Sequence, residues 1–373
     1  MTQEPNIFPY IARLLQGAEV VWKPLGEVVT TITAPTKLNR SEYKQEGSIP
    51  IIDQGIDFIA GYTDESFTPV KSDTYILFGD HSEHIKYVDF AFIQGADGLK
   101  ILKPKEGNAK YIYYAFINFY RKQLNYKRHW SVAKETIIPL PPLSVQQEIV
   151  RILDKFTQLE AELEAELDCR KRQYEYYRNK LLSYEGNEVE WKTLGEVATY
   201  SDKRIKASSV EENNYIGVEN LLQNKAGKII SNYVPSEGNV TAYNINDILI
   251  GNIRPYLKKI WLADNNGGAS GDVLVIHLID NSVNAKYLYH ILADDKFFNY
   301  NMKYAKGAKM PRGDKQKIMD YPIPLPSLSE QQRIASILDK FDALVNSISE
   351  GLPKEIALRR KQYEYYREQL LRF

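Results

Sequence analysis

Cysteine is almost missing from this chain: Cys169 is the only one among 373 residues. That excludes an internal disulfide framework, and with no second thiol or histidine at ligand spacing it excludes a cysteine-based metal centre, so a reduced, cytosolic protein is the simplest expectation. Charge of one sign is missing as well. Lys and Arg number 48 and Asp and Glu number 48, so the formal net charge is zero, and any surface for a polyanion has to be local. No apolar run approaches the roughly 18 residues that span a bilayer, and the opening MTQEPNIFPYIARLL lacks the basic-then-apolar order of a signal peptide. Neither a Walker-type phosphate loop nor a strand followed by GxGxxG occurs, which leaves no signal for a nucleotide or methyl-donor site.

What is present is repetition. Residues 143–184 read LSVQQEIVRILDKFTQLEAELEAELDCRKRQYEYYRNKLLSY, and residues 328–373 rewrite them. Both copies follow a proline-rich lead-in (139–142 and 324–326), pass through Gln-Gln and Ile-Leu-Asp-Lys-Phe, and reach Gln-Tyr-Glu-Tyr-Tyr-Arg. Upstream, Trp22-Lys23-Pro24-Leu25-Gly26-Glu27-Val28 parallels Trp191-Lys192-Thr193-Leu194-Gly195-Glu196-Val197, and Leu14-Leu15 parallels Leu181-Leu182. The N-terminus therefore starts where a copy of the helix would be ending, and the repeat unit, a Trp-Lys segment, a globular segment and a long helix, occurs twice.

The expected organisation is α+β, with a pseudo-two-fold repeat: a continuing N-terminal segment (1–25), a first globular domain (26–142), a central helix (143–186), a second globular domain (187–326) and a C-terminal helix (327–373). Both domains are of mixed α/β character, held apart by two long antiparallel helices in a coiled-coil-like spacer. Short apolar runs broken by Gly, Asp and Pro mark strands in the first domain, and a helix is expected near 110–120. Ile76-Leu77-Phe78-Gly79-Asp80 matches Ile248-Leu249-Ile250-Gly251-Asn252, and Gly95-Ala96-Asp97-Gly98 matches Gly268-Ala269-Ser270-Gly271. Each domain closes on a basic stretch. Residues 121–134 carry five Lys or Arg and no acid, and residues 303–317 carry six against Asp314.

Ser144 with Gln147, and Ser329 with Gln332, are the expected helix caps. The first helix has no Pro or Gly for forty residues, about 60 Å at 1.5 Å per residue. It repeats Glu-Ala-Glu-Leu at 160–163 and 164–167. The second has four extra residues near Glu350-Gly351-Leu352-Pro353, where a break is expected. Leu159, Leu163, Leu167, Tyr174, Tyr177 and Leu181, with Tyr363, Tyr366 and Leu370 of the second copy, form the stripe on which these helices meet a partner, the nearest being the other copy.

The Leu-Asp-Lys-Phe helices, the doubled Glu-Ala-Glu-Leu, both Gln-Tyr-Glu-Tyr-Tyr-Arg endings and the Trp-Lys-x-Leu-Gly-Glu-Val segments together resemble the specificity subunit of type I restriction-modification enzymes, over essentially the whole chain. The resemblance implies two target recognition domains, each reading one half of a split, asymmetric site in double-stranded DNA. It implies helices that hold these apart and dock two methylation subunits and, through them, the motor and nuclease restriction subunits. S-adenosylmethionine would sit on the methylation subunit, with no cofactor on this chain.

Major-groove reading favours Arg or Lys at guanine and Asn or Gln at adenine, while Lys, Arg and main-chain amides grip phosphates. Candidates are Gln54, His81, His84, Lys86, Gln94, Lys127, Arg128 and Lys134 in the first domain. In the second they are Asn220, Asn252, Arg254, Lys258, Lys259, Lys306, Lys309, Arg312 and Lys315. A metal pair at His81 and His84 with Asp80 is disfavoured, because the spacing of three suits a helix and this stretch follows a strand. Two other readings compete with a targeting subunit. A self-contained methyltransferase or nuclease requires a cofactor fold and an Asn-Pro-Pro-Tyr or Asp-Pro-Pro-Tyr motif, and neither occurs; a coiled-coil scaffold with no DNA role would leave the basic stretches unexplained.

Overall fold

The computed structural model describes residues 7–64, 66–184, 189–347 and 350–373. The chain forms two compact units. One comprises residues 1–162 with 357–373, the other residues 163–356. Each long helix is thus shared by the two units, where the sequence suggested spacers separate from the domains; the expected boundary at 186/187 lies outside the described residues.

The first unit is built on an antiparallel sheet in the order Val29–Ile32, Leu99–Pro104, Tyr75–Gly79, Ile85–Val88. Tyr75–Gly79 is buried along its whole length. Alternation explains why: Ile76 and Phe78 point to a core with Tyr111, Ile112 and Phe116 of the helix Ala109–Phe119, while Tyr75 and Leu77 point to a second core with Phe92. A strand covered on both faces reads as an unbroken apolar run. The second core is closed by a smaller sheet, Gly61–Thr63, Ile49–Ile52 and Ile93–Gln94.

The second unit repeats this plan with strands Ala198–Tyr200, Val273–Leu278, Ile248–Gly251 and Ile260–Leu262, and with the helix Ala285–Leu292. Ile248 and Ile250 face one core and Leu249 the other. The second glycine match shifts by one residue, because Gly98 O accepts from Asp80 N while Asp272 O, not Gly271 O, accepts from Asn252 N. In both units the Trp-Lys segment pairs antiparallel with the proline-rich lead-in, Trp22 opposite Pro139 and Trp191 opposite Pro324. Two-stranded ribbons tolerate these prolines because their outer edges need no ladder bond.

The central helix runs Leu143–Leu181, 39 residues, about 58 Å. The C-terminal copy is two helices, Leu328–Asn346 and Gly351–Leu370, so the expected break is present. Gly351 has φ +75°, and a Cβ there would stand 2.5 Å from Ala343 O, so only glycine makes this turn. The caps differ from expectation. Ser144 lies inside the helix that starts at Leu143, and the work falls to Gln146, which donates to Pro141 O and accepts from Asn108 N. At the second helix Ser327, two residues before the expected Ser329, accepts from Glu330 N, and Gln331 repeats the role of Gln146 between Pro326 O and Asn284 N. The first Gln of each Gln-Gln pair therefore ties the long helix to the domain helix it follows.

Within the first unit Phe156 stacks on Tyr366 and Glu160 pairs with Arg360. As one residue number rises the other falls, so these segments run antiparallel. Leu370, Leu371 and Phe373 share a core with Ile11 and Leu15, which places the end of the second repeat beside the N-terminal segment. Within the second unit Phe341 stacks on Tyr174 and Tyr177.

The aspartate of each Leu-Asp-Lys-Phe run is a clamp. Asp154 accepts from Tyr114 OH at 2.7 Å and Lys110 Nζ at 2.9 Å. Asp339 accepts from Lys286 Nζ at 2.6 Å and faces His290 Nε2 at 2.8 Å. Burial pushes His290 below the ordinary histidine value, against the opposing pull of Asp339. The Asp339 carboxyl, which burial pushes up, is held below its ordinary range by His290 and Lys286. A histidine depressed in the folded chain contributes stability that is fully present above its unfolded value, about pH 6.5, and is lost as pH falls from there through the lower folded value, because the unfolded chain takes the proton first. Asp339 adds its own loss only in the carboxylate range below. Tyr114 is neutral throughout. Acidification from pH 7.5 to 5.5 is therefore expected to weaken hydrogen-exchange protection, corrected for intrinsic rate, in the helix Ala285–Leu292 more than in Ala109–Phe119; equal responses would contradict the clamp asymmetry.

Candidate nucleic-acid interface

The first candidate surface is assembled where Tyr75–Gly79 ends. Asp80 O accepts from His129 N, and Asp80 Oδ1 accepts from Trp130 N at 2.8 Å. Glu83, itself buried, accepts from Tyr120 OH and, at 2.8 Å each, from the amides of Gln123 and Leu124. Two acids on one turn thus fasten both ends of the loop 121–128, every residue of which is exposed. Arg121, Lys122, Lys127 and Arg128 project from it with no acid in the loop.

Beside the loop, Gln54 Nε2 donates to Asp97 O and its Oε1 accepts from His81 N at 3.1 Å. The His81 ring is 3.1 Å from Lys127 O and stacks on Tyr126, centroids 5.2 Å apart. Gly98 has φ +95°, a backbone conformation strained for any side chain, and a Cβ there would press on the ends of Gln54 and His81, 2.8 Å from Gln54 Nε2 and 3.0 Å from His81 Cδ2. Tyr126 itself is 88% exposed, a bare aromatic among cations, as nucleic-acid surfaces often present.

The second unit builds its counterpart from the same strand end. Asn252 O accepts from Gly313 N and Arg254 N donates to Pro311 O. Lys306 and Arg312 exchange main-chain hydrogen bonds, which makes the basic stretch a hairpin whose tip carries Lys309. Arg254, Lys309 and Lys315 are exposed. Arg312 and Lys306 are exposed too but lean on acids, Arg312 on Asp272 at 3.1 Å and Lys306 on Asp314 at 2.6 Å. Lys258 pairs with Asp295 at 2.9 Å.

Several sequence candidates sit elsewhere. Lys86 is buried, its ammonium donating to Asp53 O at 2.9 Å and Asp57 O at 2.5 Å, and burial holds it below the ordinary lysine value. Lys259, which stands where His84 stands in the first unit because Gly251 N donates to its carbonyl as Gly79 N does to that of His84, donates to Val218 O at 2.6 Å and is likewise pushed down by burial. Both fasten the loop that follows a small-sheet strand. Gln94 and Asn220 are buried, Gln94 O accepting from Leu38 N and Asn220 Oδ1 from Gly217 N. Asn252 is buried as well. His84 is half-buried against Gln54 O, and Lys134 is exposed near Glu135 at 3.7 Å. In this fold Lys86, Gln94, Asn220 and Asn252 are buried framework, and half-buried Lys259 is held by Val218 O.

The helix stripe also divides. Tyr174 and Leu370 are buried, and Leu163, Leu167, Leu181, Tyr363 and Tyr366 are partly buried. Leu159 and Tyr177 remain exposed. Most of the stripe is therefore consumed within the units and is not free for another chain. The acids Asp80 and Glu83 were missed as loop anchors; their signal was two acids on one strand-end turn, facing a chain segment that has none. Among the described residues no cluster of His, Cys, Asp and Glu could hold a metal ion, and none of the helices is long and apolar enough to cross a membrane.

These features define a duplicated binding protein, one framework presenting two different basic surfaces. A family model described as the type I restriction modification DNA specificity domain matches residues 18–168 and again 187–358. The chain is 35% identical to the EcoR124I/EcoR124II type I restriction enzyme specificity subunit of Escherichia coli, covering 98% of this chain and 97% of that one. It is 28% identical to the EcoprrI specificity subunit, also of Escherichia coli, covering 91% and 92%. Among solved structures, the type I restriction-modification S subunit from M. genitalium superposes with a TM-score of 0.63 at 16% identity, over 100% of this chain and 98% of that one. This chain belongs to the type I restriction-modification specificity subunits. It recognises DNA for a restriction-modification complex and is not itself the catalyst.

Proposed function

We propose that each unit reads one half of a bipartite, asymmetric site in double-stranded DNA, through its strand-end turn and the basic loop fastened to it. The observation that carries this reading is the equivalence of the two loop anchorages together with the difference in what stands there: exposed Tyr126, Lys127 and Arg128 beside half-buried Gln54 and His81 in one unit, exposed Arg254, Lys309 and Lys315 in the other. The same mount with two tips suits two half-sites of different sequence. Two readers approaching one face of a duplex stand about one helical turn, roughly 10 base pairs, apart, which leaves a nonspecific gap of roughly 5 to 8 base pairs.

In this reading the chain carries two methylation subunits, which bind S-adenosylmethionine, and through them the motor and nuclease restriction subunits, all in the cytoplasm. Methylome sequencing of cells carrying the chain with its partners is the direct test. A bipartite methylated motif is the expected result; a continuous motif, or methylation by this chain alone, would count against it. Salt titration adds a check on the loop. Replacing Lys127 and Arg128 by Ala should lower the slope of log affinity against log salt by about 2, since each phosphate contact contributes about 0.9.

A further inference from the structure

We infer that the first unit reads a thymine through an apolar tip, Ile56, which stands beside the basic loop and covers the C5 methyl group of that base in the major groove. This deepens the proposed function and rests on it. Ile56 is 80% exposed. Isolated bare apolar residues are common on folded surfaces; Ile56 is set apart by its mounting and its neighbours. The turn that carries it, residues 53–58, is pinned from beneath by buried Lys86, whose ammonium holds the carbonyls of Asp53 and Asp57 on either side of Ile56. Asp53 is buried too, and its Oδ1 accepts from Gly55 N at 2.7 Å. Phe58 leans edge-on against Phe90, centroids 6.0 Å apart. A tip fixed on both sides keeps its isoleucine in water, where the side chain gains from any apolar group that covers it.

Three observations identify that group. Gln54, two residues before Ile56, joins the tip to the basic loop: its Oε1 accepts from His81 N, and the His81 ring stands 3.1 Å from Lys127 O and stacks on Tyr126. The tip itself carries no cation, since residues 45–70 contain no Lys or Arg, and the exposed Asp57 follows Ile56. Phosphates would repel that carboxylate, so the tip suits base edges, where a carboxylate accepts from the amino group of cytosine and an apolar side chain meets the methyl of thymine. Phosphate contact is left to Lys127 and Arg128. Finally, the second unit also exposes Ile229 and Ile230 in the segment after its matching strand, Tyr215–Ile216, so a bare apolar segment recurs at this place while its sequence changes.

The test is a methyl scan. Duplexes carrying the motif found by methylome sequencing, with each thymine replaced in turn by deoxyuridine, lose one methyl group and nothing else. The complex assembled on the full chain should bind about fourfold more weakly when one particular thymine, in one half-site, is replaced, the effect of burying one methyl group. Ile56→Ala should weaken binding to the unaltered duplex and no longer distinguish thymine from uracil at that position, while its sensitivity at every other position stays as it was. Ile56→Val should keep part of the distinction. Because Ile56 is exposed, the melting temperature of the variants should match that of the unaltered chain. If no thymine methyl depends on Ile56, or if Ile56→Ala weakens every duplex equally, the inference is overturned and the reading of function stands. A rise in 2-aminopurine fluorescence that requires Ile56 would mark insertion between bases and would overturn it as well. If the unaltered complex does not prefer its motif to a scrambled duplex, the reading of function fails and this inference with it.

Discussion

Deleting residues 164–167 is expected to shorten the gap in the recognised DNA by one to two base pairs and to leave both half-sites as they were. These four residues are one of two Glu-Ala-Glu-Leu tetrapeptides in a helix that runs unbroken from Leu143 to Leu181. Removing them takes out about 6 Å of rise and about 40° of rotation, at 1.5 Å and 100° per residue. By translation that equals nearly two base pairs at 3.4 Å each; by rotation it is close to one, with 10 to 10.5 base pairs per turn. The anchors Asp80, Glu83 and Asn252 lie outside the deletion, so the surfaces they mount do not change. The methylome of cells carrying the shortened chain measures both quantities. An unchanged gap, or altered half-sites, would show that helix length does not set the spacing.

Glu83→Ala should cost the first unit about 3 kcal/mol and cripple recognition of one half-site only. The carboxylate is buried. Burial alone would push it up, but the Tyr120 hydroxyl and the amides of Gln123 and Leu124 outweigh this and hold it below the ordinary range. Each hydrogen bond to a charged group contributes about 1.5 to 3 kcal/mol, and truncation leaves the donors unsatisfied. Because two of the three donors are the backbone at the root of the basic loop, the loop should lose its fixed position. Binding to a specific duplex, compared with duplexes scrambled in either half, reports the effect: discrimination in the half read by this unit should fall at least tenfold, and discrimination in the other half should persist. Uniform weakening would mean that Glu83 supports only the general fold.

The sequence was a good guide where a physical signal is strong and local. Two copies of a forty-residue helix, the break at Gly351 and the run through Tyr75–Gly79 could all be inferred from periodicity, from glycine and proline, and from apolar content. Side-chain direction was not available. Lys86 and Gln94 look like any other polar residue in a list, yet the period of two along its strand turns Lys86 inward, and Gln94 belongs to a two-residue strand that is buried throughout. The helix caps slipped because Gln146 and Gln331 bond across to another helix start, a long-range contact that a capping motif does not encode. Glu83 was passed over because its partners lie about forty residues away.

The fasteners of the basic loop and of the small-sheet loops share one property. Lys86 holds the carbonyls of Asp53 and Asp57, Lys259 holds that of Val218, Glu83 holds the amides of Gln123 and Leu124, and Asp80 holds that of Trp130. In each pair the framework supplies a side chain and the loop supplies only peptide groups, which every residue except proline at an amide can offer. The grip is blind to loop sequence. Such loops can be rewritten through point changes or exchanged whole without disturbing their mounting, so new target sequences are open to this framework at little cost in stability.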